Sequence, residues 1–120
     1  AISQQSIFGA RNEVLELYMA DNLQEYLLQI VLATRNPALY GDDLANWSLY
    51  GASPRATIAL DRCARAHAWL AGRDHVDPDD IQSIAYDVLR HRIILSYEAE
   101  AEGITPDVFI KELINRIAVP

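Results

Sequence analysis

Ser53-Pro54-Arg55, preceded by Gly51-Ala52 and followed by an alanine-rich run, are the residues of this chain best suited to chemistry. Serine is a strong N-cap, and proline fits the first helical position because its missing N–H has no helical partner there. The spacing predicts a helix that begins within a residue of Ser53 and carries Arg55 in its first turn. A cation at that end opposes the helix macrodipole by about 0.3–1 kcal/mol, so the guanidinium either turns to a carboxylate or shares an anion with the exposed N–H groups. The local pattern leaves two readings open. One is a surface ion pair, worth little. The other is a phosphate contact, for which a planar, permanently charged group is well suited.

Other catalytic constellations are missing. No G-x-x-x-x-G-K-[ST] run cradles phosphates, and no apolar strand ends in the paired acids that hold magnesium, so this chain alone is not expected to hydrolyse ATP. His67, His75 and His91 are too scattered for a metal-ligand motif and read as structural. Asp74, Asp77, Asp79 and Asp80 invite a calcium loop, but the glycine at the sixth position is missing and the twelfth residue would be Ala85. Helix capping and the dipole account for Asp77, Asp79 and Asp80, and no metal site is expected. Asp42-Asp43 and Glu98, Glu100 and Glu102 read as solvated acids with no apolar pocket around them.

Composition narrows the classes further. With 120 residues, 51% of them hydrophobic, the chain suffices for one domain with a modest core. No apolar run approaches the length of a membrane span, and the N-terminus lacks a basic stretch followed by an apolar one, so no membrane insertion is expected. The net charge of −7 argues against general binding to nucleic acid. Lys111 is the one lysine among ten cations, and Arg55, Arg62, Arg65 and Arg73 crowd one helix and its exit, as a solvated face or a subunit contact. The lone Cys63 cannot form an internal disulfide and reads as a small core residue.

The elements that must position these residues are helical almost throughout. A first helix is expected from about Ser3 to Glu16, with Leu15 to Met19 as a possible extended entry segment; a second, N-capped by Asp21, turns Leu23, Leu27, Ile30 and Val31 inward and stops before Asn36-Pro37. Residues 37–50 read as a surface loop anchored by Leu44, Trp47 and Leu49. The helix from Pro54 to about Ala71 closes at Gly72, with Ala56, Ala59, Leu60, Cys63, Ala64, His67 and Leu70 inward and Ala68 outward, and with Arg65 four residues before Trp69 for stacking. Asp77-Pro78 starts a helix to about His91, and Thr105-Pro106 starts a last one with a stripe of Phe109, Ile110, Leu113, Ile114 and Ile117. Val76 and Ile104 stand just before these caps, as hydrophobic staples or very short strands.

The segment GASPRATIALDRCARAHAWLAGRDHVDPDDIQSIAYDVLRHRIIL resembles the C-terminal helical lid of the MoxR family of AAA+ ATPases, whose lids carry a Gly-Ala-Ser-Pro-Arg run. YMADNLQEYLLQIVLATRN upstream and EAEAEGITPDVFIKELINRIAVP downstream resemble the same lid, so the likeness covers nearly the whole chain. It implies an all-α fold, a small bundle of four or five helices with at most very short strands, with residues 1–120 forming one lid domain at the C-terminal end of a longer ATPase. It implies that Arg55 is the sensor 2 residue, which reaches the phosphates of ATP held by the core domain and so counts as catalytic. Ser53, Pro54 and Arg55 would form the cofactor-binding turn, and Tyr26 and Ile30 are candidates for the adenine side of the cleft.

The implied cofactor is ATP, with magnesium held by the absent core and nothing bound tightly by this fragment. The implied partners are the chain's own AAA+ core domain, neighbouring subunits of a homo-oligomeric ring and a protein carrying a von Willebrand factor A domain. The role would be chaperone-like, in the cytoplasm, with lid angle relaying nucleotide state. The alternative class is a stand-alone helical module that binds a partner protein and has no nucleotide role; a helix-turn-helix regulator fits the acidic charge less well.

Overall fold

Ser3 caps the first helix, α1 (Gln4–Glu16), its hydroxyl accepting the Ser6 N–H at 3.1 Å, in the computed structural model that describes residues 3–120. No residue of α1 is buried. The second helix, α2 (Asp21–Arg35), buries Leu23, Tyr26, Leu27, Ile30 and Val31 and ends before Asn36-Pro37, as its apolar spacing and the following proline require. Its cap residue is Ala20, which offers no side-chain bond; Asp21 lies inside the first turn, where its charge complements the dipole.

Between Pro37 and Tyr50 the expected loop is instead structured: a 3-10 turn (Pro37–Leu39), a short helix α3 (Asp42–Trp47) and a strand β1 (Ser48–Tyr50). Two acids in the first turn of α3 favour it, and Asp43 ties it to Arg116 with two contacts of 2.7 and 2.8 Å. Leu44 is fully buried and Trp47 partly so, but Leu49 is 59% exposed, as is its neighbour Tyr50 at 64%, and anchors nothing.

The long helix α4 (Ala56–Leu70) is followed by Gly72, whose φ of 80° ends it in the left-handed conformation. Its buried stripe is Ala56, Leu60, Ala64 and Ala68, each with no exposed surface. Three placements are thereby corrected: Ala68 faces inward, whereas Cys63 and Leu70 face out. The buried residues recur at every fourth position, a narrower stripe than the broad face expected, on a helix that packs on α1, α2 and α5 (Pro78–Leu89). The guanidinium of Arg65 is committed to the Asp61 carboxylate and the Leu17 carbonyl, and the Trp69 indole donates to Glu13 at 3.0 Å.

Strand β2 (Ile94–Leu95) pairs antiparallel with β1, Ser48 opposite Leu95 and Tyr50 opposite Ile94. The short α6 (Tyr97–Ala101) leads to α7 (Pro106–Arg116), where the Thr105 hydroxyl accepts the Val108 N–H and the expected stripe is buried against the core. Val76 donates its N–H to the Tyr18 carbonyl at 2.9 Å beside an isolated bridge between Tyr18 and His75, while Ile104 closes the turn after α6. Five long helices, two short ones and one two-stranded ribbon make up the described residues, an all-α bundle with more elements than the pattern predicts.

Candidate functional site

The turn that carries Ser53, Pro54 and Arg55 is set by its neighbours at both ends. Ala52 and Ala56 are fully buried, and the three residues between them are exposed. Consecutive bonds join the Ala56 N–H to the Ser53 carbonyl at 2.9 Å, Thr57 to Pro54 at 3.1 Å and Ile58 to Arg55 at 3.2 Å. This is a 3-10 entry to α4. It corrects the expected cap: the Ser53 carbonyl, not its hydroxyl, starts the helix, and α4 begins at Ala56 with Arg55 in the cap position.

Behind the turn lies the end of α2. A Cβ on Gly51 would overlap the Thr34 carbonyl and come within 2.7 Å of the Arg35 Cα, so only glycine permits this approach. Arg35 reaches the Ala52 carbonyl at 3.4 Å.

Four of the nine arginines are paired with acids. Arg65, Arg73, Arg90 and Arg116 hold carboxylates, whereas Arg55, like Arg11, Arg35, Arg62 and Arg92, has none among the described residues. A guanidinium on an exposed, hydrogen-bonded turn, with no carboxylate among the described residues, is available to an external anion.

Tyr26 and Ile30 do not share that exposure. Each is 1% exposed, and the Tyr26 hydroxyl accepts from Gln82 at 3.1 Å inside the bundle. The α2 residues that line an open groove of about 510 Å³ are Asp21, Gln24, Glu25 and Leu28, with Thr57, two residues beyond Arg55, from α4. Leu28 is 45% exposed. On an amphipathic helix the residues available to a ligand are those off the core stripe, and the stripe itself was the stronger signal in the sequence.

The opposite end of α4 holds a polar cluster that the sequence pattern did not reveal. Asp80, in the first turn of α5, is fully buried. Arg73 donates to both its oxygens at 2.5 and 2.6 Å, His67 Nδ1 lies 2.6 Å away, and the Asp77 N–H donates at 2.8 Å. Burial pushes the Asp80 carboxyl up, but the donors from Arg73, Asp77 and His67 outweigh it and hold the group below the usual carboxylate range. The same contact raises Arg73. With both oxygens of the Asp80 carboxylate each holding two polar partners, this cluster ties α4 to α5.

Residues 48–113 match the family model described as the AAA lid domain. The chaperone MoxR1 of Mycobacterium tuberculosis is 40% identical over 82% of this chain, which covers 26% of that protein. The protein MoxR of Paracoccus denitrificans is 42% identical over 82% of the chain and 31% of its own length. A crystal structure assigned to an ATPase of Cytophaga hutchinsonii superposes with a TM-score of 0.93 at 43% identity, covering 99% of this chain and 36% of the other. The chain thus spans about a third or less of the length of these two curated relatives.

Proposed function

This chain belongs to the AAA lid domain family, in its MoxR branch, and from that premise we propose that it closes over ATP bound to the core domain of a longer ATPase, with Arg55 as the sensor 2 residue. The observation that carries this reading is the state of Arg55: exposed, on a turn fixed between buried Ala52 and Ala56, and without a carboxylate among the described residues. Ser53 and Pro54 contribute backbone and shape, since their carbonyls accept the bonds that start α4. Bound ATP supplies the phosphate anion and the transferable group. The chain's own part is to place a guanidinium against a phosphate oxygen and to turn with it as that charge changes.

Magnesium would be held by groups outside this chain, and Tyr26 and Ile30, as core residues, would affect the base only through the exposed face of α2. Relay to neighbouring subunits of a ring, and a chaperone role such as the Mycobacterium relative's name states, follow from the same proposal.

The test is ATP turnover by the full-length protein carrying Arg55→Ala. Loss of one charged hydrogen bond to phosphate should cost about 1.5–3 kcal/mol in nucleotide affinity or in the barrier to turnover. Arg62→Ala is the matched control, since Arg62 is exposed on the same helix and has no carboxylate partner either. Arg65 is no control, because its guanidinium bridges α4 to the Leu17 carbonyl. Normal turnover in Arg55→Ala, with loss in Arg62→Ala, would move the function from phosphate sensing to a subunit contact.

A further inference from the structure

The Ala52 N–H lies on a fully buried residue, out of reach of water, and must find a partner within the protein. That partner is the Thr34 hydroxyl, 3.0 Å away and also fully buried, at the C-terminal end of α2. The same hydroxyl donates to the Val31 carbonyl at 2.6 Å. This back-bond fixes the Oγ1 rotor, so one lone pair is directed off the helix, at the incoming loop. Gly51 lets the backbone come close enough to use it, since any Cβ there would strike the Thr34 carbonyl. The path onward to Arg55 has no slack. From Ala52 the chain passes into the three consecutive bonds of the Ser53–Ile58 turn.

We infer that Thr34 is a positioning residue for Arg55: its hydroxyl, clamping the Ala52 N–H, sets where the Ser53–Arg55 turn stands and thereby where the guanidinium reaches. The inference rests on the sensor reading of Arg55. Valine is nearly the volume of threonine, so Thr34→Val would keep the packing of α2 while stripping the Ala52 N–H of its acceptor. The turn must then shift to find another. A small displacement of a charged group costs little in folding but much in a reaction that depends on its position.

The experiment is a double-mutant cycle on ATP turnover by the full-length protein, with thermal midpoints for each variant. Thr34→Val should lower kcat/KM by about threefold to tenfold, well inside the roughly hundredfold that a misplaced group can cost. Thr34→Ser, which keeps the hydroxyl, should return it to within about twofold of wild type. In the Arg55→Ala background, Thr34→Val should cause no further loss, because no guanidinium remains to misplace. If Thr34→Val does not fold, Thr34→Ala, which removes the same hydroxyl without adding bulk, goes through the same cycle and should show the same dependence on Arg55.

Equal losses from Thr34→Val with and without Arg55 would overturn the inference and leave Thr34 as a stability residue. Wild-type kcat/KM in folded Thr34→Val would overturn it too. Wild-type kcat/KM in Arg55→Ala alone would bring down the sensor reading itself, whatever Thr34 does.

Discussion

At the N-terminal end of α4 the Arg55 guanidinium stands on an exposed turn with no carboxylate among the described residues, whereas beyond the C-terminal end Arg73 is held by Asp77 at 2.8 Å and by both oxygens of buried Asp80. The residue type is the same, and the fold treats it in opposite ways. At the α4 N-terminus the macrodipole repels a cation; the Arg73 guanidinium also stands at a helix N-terminus, the first turn of α5, but there the buried Asp80 and the cap residue Asp77 outweigh the dipole. A cation kept where the local field opposes it does nothing for the fold, which leaves it free for a ligand. A cation with a buried carboxylate partner is part of the scaffold. The two ends divide the work: the Asp80 cluster fixes the angle between α4 and α5, and the Arg55 turn projects from the frame so fixed.

The largest effect that could break this division is on stability. Asp80→Ala should cost about 3 kcal/mol or more, because His67 and the Asp77 N–H lose their acceptor and Arg73 keeps only Asp77. Against the total of about 5–15 kcal/mol typical of a domain, that would leave the fold marginal. Denaturant titration followed by helical circular dichroism measures it, and a loss under about 1 kcal/mol would show that the cluster is ornamental to the α4–α5 joint.

Next in size is the packing of that joint. Ala64→Leu and Ala68→Leu each insert bulk at a fully buried position of α4 and should cost about 1–3 kcal/mol. Cys63→Leu, on the exposed face, should stay within about 0.5 kcal/mol of wild type. Equal melting temperatures for all three variants would mean that α4 turns a different face to α5.

What could be read in advance divides along the same line. The starts at Asp77-Pro78 and Thr105-Pro106, the stop at Gly72 and the buried stripe of α7 depend on neighbours within a few residues, and all are found as the sequence spells them. The entry to α4 was legible only in part: a helix starts close to Ser53-Pro54, but the Ser53 carbonyl and not its hydroxyl starts it, and Arg55 stands in the cap position. Asp80 was not legible: its first-turn position suggested capping, and only the approach of His67 and Arg73, 13 and 7 residues away, turns it into a buried hub. Thr34 was silent too, since its partner is 18 residues distant. Helix α3 was hidden because Asp42, Asp43 and Asn46 look like loop residues until Arg116 and the buried Leu44 hold them in place.

Acid should separate the two ends more gently. A carboxyl held below its usual range stabilises the fold above its unfolded pKa, about 3.9, and that contribution is lost as pH falls through the lower folded value. Asp80 behaves so, as does Asp43, which Arg116 holds down at about 2. His75 has the opposite sign: the Asp74 carboxylate raises it above 6.5, so its contribution is complete below that pH and fades as pH rises through the folded value. Stability should climb from pH 2 to pH 5 and sag slightly above neutrality, with Asp80→Asn flattening the acid limb and leaving the sag. An unchanged acid limb in Asp80→Asn would assign acid sensitivity to Asp43 and the α3–α7 link.

The smallest expected effect is the one on which the comparison turns. Arg55→Ala should change the stability of the folded chain by no more than about 0.5 kcal/mol, because two weak terms oppose each other. Removing a cation from the start of α4 relieves an unfavourable charge–dipole contact of about 0.3–1 kcal/mol. Removing it from a chain of net charge −7 also adds to general self-repulsion, which salt screens beyond about 10 Å at 0.1 M. The side chain is exposed and gives up no carboxylate partner among the described residues, so no buried group is orphaned by its loss. Raising salt should shrink what difference remains, whichever sign it has. A loss above about 1 kcal/mol in Arg55→Ala, persisting in high salt, would mean that this guanidinium holds the lid together as Arg73 does, and the two ends of α4 would no longer differ in kind.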